Sequence, residues 1–186
     1  MTEGVRIVFL DRDGVINQYP GCTNYVTNWS KFKFIPGSIE GAKRLFLCGF
    51  KLYVISNQAG IAKGLYTQAD LERINQGMLK AFNKQGVQIE GIYYCTHRDS
   101  DNCNCRKPKT GLLKRAIADL GLIPAISFFI GDSFRDMRAA HCFGAKSILV
   151  LSGKEKESDR SYWEFEPDHV FDNLQVAADY LCAHYG

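Results

Sequence analysis

The sequence predicts an α/β fold, a doubly wound parallel sheet, on three observations. Short apolar runs alternate with segments of helical spacing, capping residues punctuate those segments, and polar residues directly follow the apolar runs. The runs are Arg6–Leu10, residues 52–55, 91–94 and 126–130, and Lys146–Val150. Their near-continuous apolar character is that of strands buried on both faces. Between them, Ser38–Leu47 and residues 67–83, 110–120 and 133–143 carry the apolar periodicity of helices. Thr67 with Asp70, and Ser133 with Asp136, have the spacing of capping boxes, and Thr110 opens a segment that Gly121 closes. Sheets of this kind bind ligands beyond the carboxyl ends of their strands, so the residues there carry the functional information.

The 186 residues, 46% of them hydrophobic, suffice for one core, and a single domain spanning 1–186 is expected. The 23 basic and 20 acidic residues are dispersed without a basic stripe, which argues against a nucleic-acid partner. No apolar run is long enough to span a bilayer and the N-terminus lacks a signal-peptide layout, so the expectation is a cytoplasmic monomer with no membrane partner. The seven cysteines are an odd number, and Cys95, Cys103 and Cys105 crowd beside a histidine. Metal ligation in a reducing compartment is therefore expected rather than disulfides, with Cys22, Cys48, Cys142 and Cys182 as ordinary thiols. Residues 17–34 and 152–167 read as long loops, the first placed to cover the crevice.

After the first run stand Asp11, Arg12, Asp13 and Gly14. Two carboxylates at i and i+2, at the mouth of a buried strand, suit phosphoryl transfer, in which an aspartate can serve as covalent carrier. Asp11 fits the nucleophile, and Asp13 fits the acid/base that serves the leaving group and then water. Asp-Gly is also a plain turn signal, and an EF-hand is excluded because Gly14 falls at the fourth position. Asp132, after the fourth run, completes with Asp11 and a backbone carbonyl of Asp13 a plausible Mg²⁺ site. Asp136 is read equally as a helix cap or as a support to that metal. Ser56, Asn57 and Gln58 follow the second run and offer a hydroxyl and amides to phosphate, and Lys107 offers a point charge.

Cys95, His97, Cys103 and Cys105 supply three thiolates and an imidazole within eleven positions, the Cys₃His set of a closed structural zinc site. Arg106 and Lys107 follow the last ligand directly, so zinc would pre-position their charges.

Residues 9–17, 55–64, 105–108 and 130–136, taken in order, resemble the four motifs of the haloacid dehalogenase superfamily, and more narrowly its D-glycero-D-manno-heptose 1,7-bisphosphate 7-phosphatases. The resemblance implies a Rossmann-like core with no large cap domain and a Mg²⁺-dependent phosphatase acting on a small phosphosugar. In that family the C7 phosphate is removed on the way to lipopolysaccharide. It further implies Asp11 as nucleophile, Asp13 as acid/base, Asp132 as Mg²⁺ ligand, and Ser56, Asn57, Arg106 and Lys107 as contacts to substrate or phosphate. Similar zinc loops occur in the related histidinol-phosphate phosphatases. The five-residue gap from His97 to Cys103 is closer to theirs, whereas residues 57–64 and 92–95 look like the heptose group. Histidinol phosphate therefore remains an alternative substrate, and a non-catalytic phosphosugar-binding module is the rival from another class.

Overall fold

The computed structural model describes residues 4–121 and 123–186. Strands β1 (Arg6–Leu10), β2 (Lys51–Asn57), β3 (Ile89–Cys95), β4 (Ile126–Gly131), β5 (Lys146–Val150) and β6 (His169–Phe171) form one six-stranded sheet in the order β3-β2-β1-β4-β5-β6. Every pairing is parallel. Helices α1 (Ser38–Leu47), α2 (Gln68–Lys84), α3 (Gly111–Leu120), α4 (Phe134–Phe143) and α5 (Leu174–Tyr185) cover its two faces. This is the expected doubly wound, Rossmann-like α/β fold.

Alternation along each strand divides the core. Val8, Leu10, Val54 and Ile130 pack with Leu45 of α1, Met78 and Phe82 of α2 and Leu181 of α5. Ile7, Phe9, Ile55 and Phe129 pack with Leu113 and Ala116 of α3 and Ala140 of α4 on the opposite face. Both sets are withdrawn from solvent, which is why the strands read as unbroken apolar runs rather than alternating ones.

The capping boxes at Thr67–Asp70 and Ser133–Asp136 form. Thr110 caps α3 without a side-chain hydrogen bond. The segments expected as loops contain short 3-10 turns at Trp29–Lys31 and Glu157–Tyr162. The last strand and helix, β6 and α5, carry no expectation from the sequence: β6 has three half-buried residues, too short for a periodic signal.

One expectation is corrected here. Cys48 and Cys182 are joined as a disulfide rather than standing as free thiols. They end α1 and lie in α5, helices that pack together and hold the two Cα atoms 5.9 Å apart, within disulfide range. They stand 134 positions apart, so local sequence carries no sign of the pairing. Cys22 and Cys142 are free and exposed.

Candidate active site and metal loop

The sheet order reverses direction between β1 and β4, and their register pairs Leu10 with Ile130. Asp11 and Asp132 therefore leave neighbouring strands almost side by side at the switch point, where such sheets bind ligands. The N–H of Asp11 donates to the carbonyl of Ile130 at 3.0 Å, which anchors the turn. Oxygens of Asp11, Asp132 and Asp136 all lie within 4.8 Å of one another, and all three residues are buried.

Lys107 enters this group from the loop after β3. Its Nζ stands 2.9 Å from Asp11 and 2.7 Å from Asp136 and donates to the carbonyl of Ile55 at 2.9 Å. Three carboxylates against one ammonium leave two net negative charges, the complement of a single divalent cation, so the donor set fits Mg²⁺. Burial, with Asp136 and Asp13 adding repulsion against the pull of Lys107, pushes the Asp11 carboxyl up to about 7. Burial, then repulsion from Asp11 and Asp136, raises Asp132 well above the usual carboxylate range. Burial opposes the charge on Lys107, but its two carboxylate neighbours outweigh it and raise its affinity for the proton.

Glycines shape the cradle of Asp132. A Cβ on Gly14, where φ is +90°, would stand 2.1 Å from Asp132 Oδ2, and a Cβ on Gly153 would meet the same atom at the same distance. The N–H of Lys154 donates to that oxygen at 2.8 Å, and Ser152 Oγ donates to the carbonyl of Gly14 at 2.7 Å. The loop after β5 thus closes over Asp132, a role its composition did not indicate.

Asp13 projects beside the cluster. Arg12, itself 1% exposed, pairs with Asp13 Oδ2 at 2.9 Å, and Asn17 donates to Oδ1 at 2.9 Å. Arg12 falls inside the Asp-Arg-Asp-Gly motif, yet nothing in the sequence marked it as the buried partner of Asp13. A cleft of about 280 Å³ opens over these groups. Asp11, Asp13, Asp132, Ser56, Asn57, Arg106 and Lys107 all line it. So do Tyr19, Asn24 and Tyr25 from the loop after β1, which covers the crevice as expected, and Arg135 and Lys154, which the sequence reading did not include.

Two of the expected residues sit differently. Asn57 clamps the loop backbone, donating to the Lys107 carbonyl at 3.0 Å and accepting from its N–H at 3.1 Å. Gln58 lies behind the cleft rather than in it, with 1% of its surface exposed. Arg106 is held by the Asp99 carboxylate of the same loop, a contact that lowers the Asp99 carboxyl below its usual range.

Cys95, His97, Cys103 and Cys105 converge beside the cleft, with ligand atoms 3.3 to 3.6 Å apart in five of their pairings. A tetrahedral zinc with Zn–S bonds of about 2.3 Å sets neighbouring sulfurs about 3.8 Å apart, so the cage is close to the required size. Burial pushes the Cys95 thiol up to about 12, so a cation is needed to hold it as thiolate.

Carboxylates and a lysine gathered at the switch point of a 3-2-1-4-5-6 sheet define a phosphoryl-transfer hydrolase of the haloacid dehalogenase type, and the HAD-hyrolase-like family model matches residues 104–177. Curated relatives match across most of the chain, two of them as follows. The D-glycero-beta-D-manno-heptose-1,7-bisphosphate 7-phosphatase of Neisseria meningitidis is 34% identical over 95% of this chain and 95% of its own. That of Yersinia pestis is 37% identical over 100% of both. The D,D-heptose 1,7-bisphosphate phosphatase from B. bronchiseptica, solved with magnesium and phosphate, superposes with a TM-score of 0.88 at 29% identity, over 96% of this chain and 99% of that one. The chain belongs to this family of HAD phosphatases, hydrolases of phosphate esters.

Proposed function

We propose that the protein removes the C7 phosphate of D-glycero-D-manno-heptose 1,7-bisphosphate through a phospho-aspartate on Asp11. The observation that carries this reading is the convergence of Asp11, Asp132 and Asp136 within 4.8 Å around Lys107, at the floor of a cleft lined by basic groups. The names of its relatives supply the sugar.

In the first step an Asp11 oxygen attacks phosphorus, the bond from phosphorus to the sugar oxygen breaks, and a proton from Asp13 passes to that oxygen. In the second, water attacks the phospho-aspartate and gives a proton to Asp13. The acyl-phosphate bond then breaks and inorganic phosphate departs. Lys107 holds Asp11 in place and offsets charge on the transferring group, while Ser56 and Arg106 donate to its oxygens. Asp11, Asp132 and the backbone carbonyl of Asp13 would hold Mg²⁺, which when bound neutralises charge shared by Asp11 and the phosphate.

The reading includes a structural zinc at Cys95, His97, Cys103 and Cys105, supported by the spacing of the ligand atoms. It takes the chain as one catalytic domain in the cytoplasm: the free Cys95, Cys103 and Cys105 support a reducing compartment, and the Cys48–Cys182 disulfide stands against it. Among the described residues no helix is long and apolar enough to cross a membrane.

Phosphate release with added Mg²⁺, measured side by side on heptose 1,7-bisphosphate and histidinol phosphate, tests the substrate. Faster release from the heptose is expected, and the reverse ranking overturns that choice. Asp11→Asn is expected to abolish release; equal, negligible rates in wild type and variant would instead point to a phosphosugar-binding module.

A further inference from the structure

We propose that Gln58 and Tyr66 are positioning residues, which aim the acid/base carboxylate of Asp13 and the hydroxyl of Ser56 from behind the cleft. This inference rests on the phosphatase reading above. The Gln58 side chain makes four hydrogen bonds. Its Nε2 donates to Asp13 Oδ2 at 2.9 Å and to Ser56 Oγ at 2.7 Å. Its Oε1 accepts from Arg12 at 3.0 Å and from Tyr66 Oη at 2.6 Å. A primary amide has two N–H donors and one oxygen with two lone pairs, so its capacity is filled.

The direction of the amide is fixed by chemistry. The Arg12 guanidinium can only donate, which forces the Gln58 oxygen toward it and the nitrogen toward Asp13 and Ser56. Ser56 Oγ, already accepting from Gln58, keeps its own proton to donate into the cleft that it lines. Gln58 therefore orients two groups at once: the carboxylate that exchanges protons and a hydroxyl turned donor-first toward a phosphate oxygen. Neither Gln58 nor Tyr66 lines the cleft. Both are nearly buried, at 1% and 6% exposure, so each acts through the side chains it holds. Tyr66 is seated against Gly60, where an added Cβ would come 2.2 Å from its ring.

Because Asp13 serves both steps, displacing it has a kinetic signature that general damage lacks. From 4-nitrophenyl phosphate the leaving nitrophenolate departs without a proton, so formation of phospho-Asp11 tolerates a misplaced acid. Its hydrolysis still needs Asp13 as base. Gln58→Met keeps the volume and removes all four bonds.

The test is steady-state and pre-steady-state turnover of wild type, Gln58→Met and Tyr66→Phe with Mg²⁺. The kcat of Gln58→Met on heptose 1,7-bisphosphate is expected to fall about 10- to 100-fold, the scale of an ångström's misplacement of a reacting group. On 4-nitrophenyl phosphate it is expected to release a burst of nitrophenolate and then turn over slowly, as phospho-Asp11 accumulates. Tyr66→Phe, which loses one hydrogen bond, is expected to show the same pattern with a loss of about 3- to 10-fold. If Gln58→Met does not fold, Tyr66→Phe decides alone. Wild-type kcat, or a lowered rate with no burst, overturns the positioning role. A wild type inert on both esters overturns the phosphatase reading itself, and this inference with it.

Discussion

The Lys107 ammonium stands 2.9 Å from the Asp11 carboxylate, and only 2% of the lysine side chain meets solvent. Asp136 closes on the same nitrogen from the other side at 2.7 Å. Lys107 is thus the cation that lets three buried carboxylates coexist before a metal binds. Lys107→Met is expected to cost about 3–5 kcal/mol in metal-free protein, because it strands buried charge rather than deleting one contact. Urea unfolding measures this, and a loss below about 1 kcal/mol would show that the carboxylates do not depend on the lysine.

The raised Asp11 carboxyl couples the site to pH. Burial pushes the Asp11 carboxyl from the ordinary 3.8 up to about 7, so between those values the folded chain holds a proton that the unfolded chain has lost. Metal-free stability must therefore fall as pH rises through that window, and the penalty is complete above it. Mg²⁺ competes with that proton, so displacing it from Asp11 is expected to raise the metal's affinity by up to about tenfold per pH unit toward 7, and the likewise raised Asp132 adds to the rise. Calorimetric titration across the window measures it; an affinity flat with pH would mean that Asp11 binds the metal without giving up a proton.

The zinc cage predicts a separable defect. Cys105 is followed directly by Arg106, and Asp99 of the same loop holds the Arg106 guanidinium. Cys95→Ser removes one thiol of the proposed zinc set, at a residue that is 1% exposed. The variant is expected to lose bound zinc, keep the sheet, and drop in kcat/KM about tenfold or more as the Arg106–Lys107 segment loosens. Metal analysis beside kinetics checks this, and full activity in zinc-free protein would make the cage irrelevant to phosphate binding.

What the sequence could disclose depended on the range of the cause. Strand β1 and helix α1 are legible to the residue because burial and apolar periodicity act locally. Asp11 and Asp132 could be paired from the sequence because each directly follows an apolar run, and a switch-point sheet brings such ends together. The Cys95 to Cys105 set is legible for the opposite reason, since its ligands are close in the chain. Arg12, Tyr66 and Lys154 escaped because their partners lie across the fold or belong to loops without periodicity. Gln58 was misplaced into the cleft for a related reason: residues just after a strand point to either side of the crevice, and only packing decides which. The disulfide between Cys48 and Cys182 depends on how α1 meets α5, and β6 is too short to announce itself.

Gly153 gives the sharpest test of the site's geometry, because it carries no chemistry of its own. An added methyl would stand 2.1 Å from Asp132 Oδ2 and 2.4 Å from its Cβ, too close for any rotamer adjustment at Gly153 itself. Asp132 is 3% exposed, and a Cβ on Gly14 would likewise stand 2.1 Å from its Oδ2, so the carboxylate is already closely confined and has little room to move. Either Asp132 leaves the cluster with Asp11, or the loop carrying Lys154 lifts and its 2.8 Å N–H bond to Asp132 is lost. Both outcomes degrade the same divalent site. Gly153→Ala is therefore expected to weaken Mg²⁺ binding about 10- to 100-fold, with a matching loss of kcat/KM. Its far-UV circular dichroism should be unchanged, since the loop after β5 contributes little regular structure. Mg²⁺ titration of the variant decides the matter, and wild-type affinity would mean that Asp132 is not a ligand that the fold needs to hold in place.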